Sequence, residues 1–309
     1  MIVELFSGIH GPGHAMRQLD LGLTWGYELD GDAVATARLN GFTVDHGDLS
    51  EVDPIIEVGG GVTGLWASPP CQSFSAAGNG NGLTDARGQL VYEPLRWVKA
   101  LRPEWVACEQ VPEVLPIWRV MVRELEALGY SACAFLMRGE QFGLPQTRTR
   151  AMLMASRTRT VAPPAPTHQR YVSGEPARPI DGGMFNDDLL PWVSMAEALD
   201  AAGIGMPPGE QCGLRFDGTR GQGMVERHGD RPARPTGEPS PTVTAHGKDA
   251  RWTFHLGATT VKLTVEQAKV LQGFPHDMPM SGSKSAQFKQ IGNACPPTMA
   301  HPILKELTQ

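Results

Sequence analysis

Short apolar runs alternate with amphipathic stretches along the first 155 residues. The runs predict strands over Ile2–Phe6, Leu23–Leu29, Phe42–Asp45, Gly64–Ala67 and Glu104–Cys108, then Ala132–Met137 and Ala151–Ala155. Between them the spacing predicts helices over Gly13–Leu21, Asp32–Asn40, Gln89–Leu101 and Ile117–Leu128. In the last of these, Ile117, Val120, Met121, Leu125 and Leu128 recur at helical intervals. Strands alternating with helices predict an α/β fold with a mostly parallel sheet covered on both faces.

The pattern breaks after about residue 156. Residues 201–250 hold 10 Gly and 6 Pro, against 62 of both types in all 309 residues. That density predicts an irregular, loop-rich insert over 157–245, with one helix near Met195–Ala202. Helical spacing resumes over Thr264–Leu271, where Thr264 and Gln267 stand at capping-box distance, and again over Pro297–Leu307.

At 41% hydrophobic, the chain can bury a true core. It has no run of about 18 apolar residues, so no membrane span is expected. Glu4 interrupts the start where a signal peptide would need basic residues. Five cysteines spread over 71–295, none spaced Cys-x-x-Cys, suit a reducing cytoplasm and argue against structural zinc, so no metal is expected. A net charge of −6 argues at first against a nucleic-acid partner. The charge is polarised, however. Residues 1–60 carry 2 basic and 10 acidic side chains, whereas 138–178 carry 7 Arg against 2 Glu. A basic footprint is therefore confined to the middle of the chain, and the mean excludes little.

Five clusters carry candidate chemistry. Leu5-Phe6-Ser7-Gly8-Ile9-His10-Gly11-Pro12-Gly13 ends the first strand, and Glu28 ends the second about twenty residues on. A glycine turn there admits a ligand to the backbone, and an acid at Glu28 can take ribose hydroxyls. Asp48, after the third strand, can take an adenine amino group. The glycine spacing is not the dinucleotide fingerprint, so this is either a cofactor site or an ordinary strand-to-helix turn. Ser68-Pro69-Pro70-Cys71-Gln72-Ser73-Phe74-Ser75 follows the fourth strand, and its prolines stiffen a loop that presents Cys71 as a nucleophile rather than a core thiol. Glu109, in Cys108-Glu109-Gln110-Val111, reaches the same sheet edge as a proton donor or acceptor, or else serves only as a strand-end cap. In Gln146-Thr147-Arg148-Thr149-Arg150 the two arginines alternate, which on a strand aims both guanidinium groups at one face for phosphate or a base carbonyl; a charged strand edge is the other reading. Gly292-Asn293, before Cys295-Pro296-Pro297, can bring amides to a cofactor or simply start a helix.

Together, and in this order, the blocks resemble those of the cytosine-C5 DNA methyltransferases. Arg87-Gly88-Gln89-Leu90, Thr236–Thr244, Leu271-Gln272-Gly273-Phe274-Pro275 and Gly292-Asn293-Ala294 extend the resemblance over about 1–155 and 236–309. It implies a Rossmann-like S-adenosylmethionine methyltransferase sheet with a smaller loop-rich target-recognition domain. The expected division is a catalytic domain over 1–156, target recognition over 157–245, and a C-terminal part over 246–309 that completes the catalytic domain. The implied catalytic residues are Cys71, Glu109, Arg148 and Arg150. Phe6, Ser7, Gly8, Ile9, Gly11, Glu28, Asp48, Pro70, Leu90 and Asn293 would bind S-adenosylmethionine. Gln72, Ser75, Gln146, Arg215, Arg220, Gln222 and Arg227 would meet double-stranded DNA, and the enzyme would act as a monomer. His10 and Pro12 intrude where the family has glycines, and Gln110 stands where Asn is usual.

The resemblance implies that Cys71 adds to cytosine C6 while Glu109 holds N3, so that C5 becomes nucleophilic. Arg150, or helix dipoles at the sheet edge, would favour the thiolate. The target base must leave the duplex. A nicotinamide-dependent oxidoreductase, a tRNA cytosine methyltransferase and a catalytically silent DNA-binding regulator are the rival readings.

Overall fold

The structure is a computed structural model that describes residues 1–70, 86–177, 189–205, 212–216, 233–245, 252–256 and 259–309. Its first compact unit comprises Met1–Met137, Thr149–Ala165 and Met299–Gln309. The predicted strands are all present, shifted by a residue or two: β1 Ile2–Leu5, β2 Thr24–Glu28, β3 Thr43–His46, β4 Gly64–Ala67, β5 Trp105–Gln110, β6 Ser131–Arg138 and β7 Thr149–Ser156. They form one sheet in the order β3-β2-β1-β4-β5-β7-β6. β1 is parallel to β2 and β4, β2 to β3 and β4 to β5, whereas β7 runs antiparallel to β5. All four residues of β1 and of β4 are buried, which explains why both read as continuous apolar runs.

Helices α1 Gly11–Gln18, α2 Gly31–Leu39, α5 Glu93–Leu101 and α6 Leu115–Ala127 form near the predicted places. Short helices α3 Pro54–Val58 and α4 Ala86–Gln89 were not predicted; at five and four residues, neither leaves a period to read. Asp30 caps α2 through its side chain, accepting from the amides of Asp32 and Ala33. In α6 the buried face is Trp118, Met121 and Leu125, while Val120 points outward at 51% exposure. Ile117 packs against the core as expected, Trp118 takes the place expected of Val120, and its indole N–H donates to the Ala151 carbonyl at 3.2 Å. These side chains join Leu65, Trp97 and Val106 in the main core.

The second unit comprises Arg138–Arg148 and Pro166–Thr298. The segment expected over 246–309 is thus divided between the units at Thr298. Here a four-stranded sheet, in the order β11-β10-β8-β9, is built from β8 Cys212–Phe216, β9 Arg234–Pro235, β10 Trp252–Leu256 and β11 Thr259–Lys262. Its pairings are antiparallel. The insert is therefore not merely irregular: glycine and proline density concealed short strands. Helices α7 Met195–Ala201 and α8 Val265–Leu271 each carry a complete capping box, from Ser194 with Glu197 and from Thr264 with Gln267. Helix α9 Lys284–Asn293 was missed, and α10 Pro297–Thr308 was expected. Among the described residues, no helix is long and apolar enough to cross a membrane.

Candidate active site

In the first unit the strand order reverses at the neighbours β1 and β4, where open α/β sheets bind ligands beyond the strand ends. Pairing in register, Leu5 opposite both Tyr27 and Ala67, and Ala67 opposite Cys108, brings the strand ends to one level. The loop after β1 turns by left-handed residues: Phe6 at φ 55°, Gly8 at 52° and His10 at 58°. A non-glycine residue in that region costs about 1–2 kcal/mol, so the loop is held against its own preference. Ser7 N–H donates to the Tyr27 carbonyl at 2.9 Å, and Gly8 N–H donates to Glu28 Oε2 at 2.8 Å. Glu28 Oε1 accepts from the Leu29 and Asp30 amides at 2.8 and 2.7 Å. A Cβ on Gly8 would meet nothing within 4 Å, so the backbone there faces open space.

Not every residue expected at this loop offers a contact surface. Ile9 is buried at 1% exposure and Gly11 is buried at the start of α1, so their places are interior. Ser7 is also buried, whereas Phe6 is half-buried. Asp48 caps the turn Leu49–Glu51, with Oδ1 accepting both the amide and the hydroxyl of Ser50. Those bonds hold its carboxyl below the usual range. Pro70 and Leu90 are half-buried.

At the end of β5, Glu109 is 4% exposed and lies 2.8 Å from Nε of Arg150 on β7. Gln110 bridges two strand ends: its amide nitrogen donates to the Pro69 carbonyl and its oxygen accepts from Val111 N–H. The residue that departs from the family pattern thus touches the proline loop directly. Cys71, Gln72 and Ser75 lie outside the described residues, as do Arg220, Gln222 and Arg227. Arg215 lies in β8 opposite Thr253.

Arg148 and Arg150 meet different partners. Residue 148 precedes β7 and belongs to the second unit, where its side chain is 1% exposed. It donates to the carbonyls of Val243, Gly292 and Ala294 at 3.2–3.3 Å. The catalytic expectation for Arg148 thus meets a buried side chain that donates to three backbone carbonyls. Gln146, expected to meet DNA, is likewise held inside the second unit. It is fully buried, donates to the Leu271 carbonyl and Gln272 Oε1, and accepts from Val243 N–H, which leaves it no DNA-facing surface.

Asn293 is exposed at the C-terminal end of α9. The glycine before it is not a helix start: a Cβ on Gly292 would come within 2.4 Å of the Thr244 carbonyl carbon and the Ala245 nitrogen, so two backbones meet there. Sequence reasoning missed the Glu4–His10 pair, Oε2 to Nδ1 at 2.8 Å, with both side chains buried. The available signal was an acid in the middle of an otherwise apolar strand. Among the described residues, no group of three or more His, Cys, Asp or Glu could hold a metal.

A family model described as C-5 cytosine-specific DNA methylase matches residues 1–178 and 220–309. The chain is 28% identical over 320 residues to the type II methyltransferase M.NgoFVII of Neisseria gonorrhoeae, covering 96% of this chain and 83% of that one. It is 23% identical over 318 residues to the type II methyltransferase M1.ScrFI of Lactococcus lactis subsp. cremoris, covering 100% and 78%. The solved structure of the S. pombe Dnmt2 methyltransferase shares its fold, with a TM-score of 0.68 at 17% identity over 99% of this chain and 97% of that one. The family match takes in both strand-end loops, Glu28, Glu109 and Arg150, and on that match the chain belongs to the C-5 cytosine-specific DNA methylase family.

Proposed function

We propose that the chain transfers a methyl group from S-adenosylmethionine to C5 of a cytosine flipped out of a specific double-stranded DNA site, through a covalent adduct of Cys71 at C6. The observation that carries this reading is the Glu109–Arg150 pair at the end of β5, beside a proline loop that Gln110 tethers through Pro69.

The donor fits the strand ends of β1 and β2. Gly8 presents backbone to open space, and Glu28 uses three acceptor positions of the about four that a carboxylate has. Glu28 would hold the ribose hydroxyls and Asp48 the adenine amino group, with Phe6, Pro70 and Leu90 supplying apolar surface. When bound, S-adenosylmethionine supplies the electrophilic methyl that C5 takes up.

The chain's own residues prepare the base. Flipping costs a few kcal/mol, roughly what one unstacked pair requires, and must be offset by contacts in the site. Glu109 holds or protonates N3, and Arg150 fixes the direction in which that carboxyl points. Protonation at N3 draws electrons from C6, where the Cys71 sulfur forms a bond. The ring then has enamine character, and C5 is nucleophilic. After transfer, loss of the C5 proton pushes the electron pair back and breaks the C6–sulfur bond, which frees the thiolate.

Bisulfite sequencing of DNA from cells expressing the chain tests product, target sequence and activity at once. Converted wild-type DNA with no protected cytosines would overturn the reading, as would transfer to tRNA in preference to DNA. Cys71→Ala is expected to abolish methyl incorporation, and retained activity would remove Cys71 from its role.

A further inference from the structure

A buried acid–base pair lies under the loop after β1, and no step of the proposed reaction uses it. Glu4 and His10 are 1% and 0% exposed. His10 precedes α1 in the left-handed conformation, at φ 58° and ψ 46°. Its ring stacks on Phe42 with centroids 4.6 Å apart and planes 4° from parallel. A Cβ on Gly26 would lie 2.1 Å from its Nε2, and one on Gly13 would lie 2.7 Å from its Nδ1. Two glycines are kept bare to admit one imidazole.

Each part of this arrangement is unfavourable for a plain turn. Glycine would occupy position 10 without strain. An apolar side chain at position 4 would lose no hydration on burial. Buried pairs of this kind are weak evidence for stability, so a role in fixing geometry is the better reading. What is fixed can be traced along the backbone. His10 N–H donates to the Ser7 carbonyl at 2.8 Å, and Ser7 N–H donates to Tyr27 on β2 at 2.9 Å. Between them Gly8 N–H reaches the Glu28 carboxylate at 2.8 Å. Ring, loop and Glu28 form one linked chain.

We propose that the Glu4–His10 pair positions this loop to receive the methyl donor, with His10 as a positioning residue that touches no substrate. With the ring seated over Gly26, the Gly8 amide and the Glu28 carboxylate are held in one arrangement. The inference rests on the donor reading given above.

Calorimetric titration with S-adenosylmethionine, alongside equilibrium binding of duplex DNA, tests it well below each variant's melting midpoint. His10→Gly and Glu4→Leu are each expected to weaken donor binding about tenfold or more, and DNA affinity by less than about twofold. Glu4→Gln retains an oxygen that accepts from Nδ1–H and is expected to stay within about threefold of wild type. The losses in the double variant should not add, because both remove the same contact. His10→Asn, which tolerates the left-handed backbone, replaces the glycine variant if that one does not fold. Folded variants that lower the melting temperature but bind the donor as wild type does would overturn this inference and leave the donor reading standing. A wild-type chain that binds no S-adenosylmethionine would overturn both.

Discussion

The two compact units bury polar groups in different places. In the first, the interior is apolar, built on Leu65, Trp97, Trp118 and Leu125, and buried charge gathers near the strand ends as Glu4–His10 and Glu109–Arg150. In the second, the apolar cluster is smaller, with Met195, Leu199, Val243, Leu271 and Ile291 at its centre. Polar side chains thread it: Gln146, Arg148 and Gln272 donate to carbonyls at Leu271, Val243, Gly292 and Ala294. Buried polarity therefore does not by itself mark a site. Arg148 and Arg150 stand two residues apart, and Arg150 pairs with the Glu109 carboxylate at a strand end. Arg148 reaches across the second unit to the carbonyls of Val243, Gly292 and Ala294, whereas Arg150 holds a titratable side chain.

The largest expected effect tests the apolar half of this contrast. Trp118→Ala removes a fully buried ring and its bond to Ala151, and should destabilise the first unit by about 3–5 kcal/mol. Urea denaturation with hydrogen exchange measures it. A loss below about 1 kcal/mol would mean that this core is not what holds the unit.

Arg148→Met tests the polar half. It leaves buried carbonyls without their donor and should cost about 3 kcal/mol, with exchange protection lost in the second unit first. Arg150→Met should instead reduce turnover sharply, because its loss frees the direction of Glu109, and should cost the first unit about 3 kcal/mol, because a buried carboxylate is left without its partner. A stable, inactive Arg148→Met protein would reverse these assignments.

The same contrast explains what the chain's pattern revealed and what it hid. Strands such as Ile2–Leu5 and Gly64–Ala67 are buried on both faces, so each reads as a short apolar run wherever it occurs. The site's loops follow those strands directly, which is why Glu28 and Glu109 could be placed from sequence. Arg148 could not. Its partners lie 95–146 residues away, and alternation with Arg150 assumed a strand that begins only at Thr149. Gln146 failed for the same reason: its amide closes onto Leu271 and Gln272, contacts that local spacing does not encode. Gly292 read as a cofactor contact or a helix start, yet it is required by the close passage of Thr244. The four strands of the second unit are two to five residues long, too short to show alternation amid glycine and proline.

The smallest expected effect concerns acid sensitivity, where among the described residues each unit holds a histidine disfavoured in its charged form. Burial, with Arg17 and then His10 nearby, lowers His14 from 6.5 to about 4. Burial also lowers His168 in the second unit. A histidine depressed in the folded state binds its proton more readily when unfolded. The folded state is therefore favoured above about pH 6.5, and that advantage is lost as pH falls toward 4. At pH 5.5 the His14 contribution to this loss is about 1 kcal/mol. Urea midpoints at pH 7.5 and 5.5 should thus differ less for His14→Asn than for wild type, whatever the substitution costs at either pH alone. His168→Asn should change the slope less, since its ring is more open to water. If the His168 variant flattened the slope and the His14 variant did not, acid sensitivity would belong to the second unit, and the packing of His14 against Phe42 would not exclude the proton.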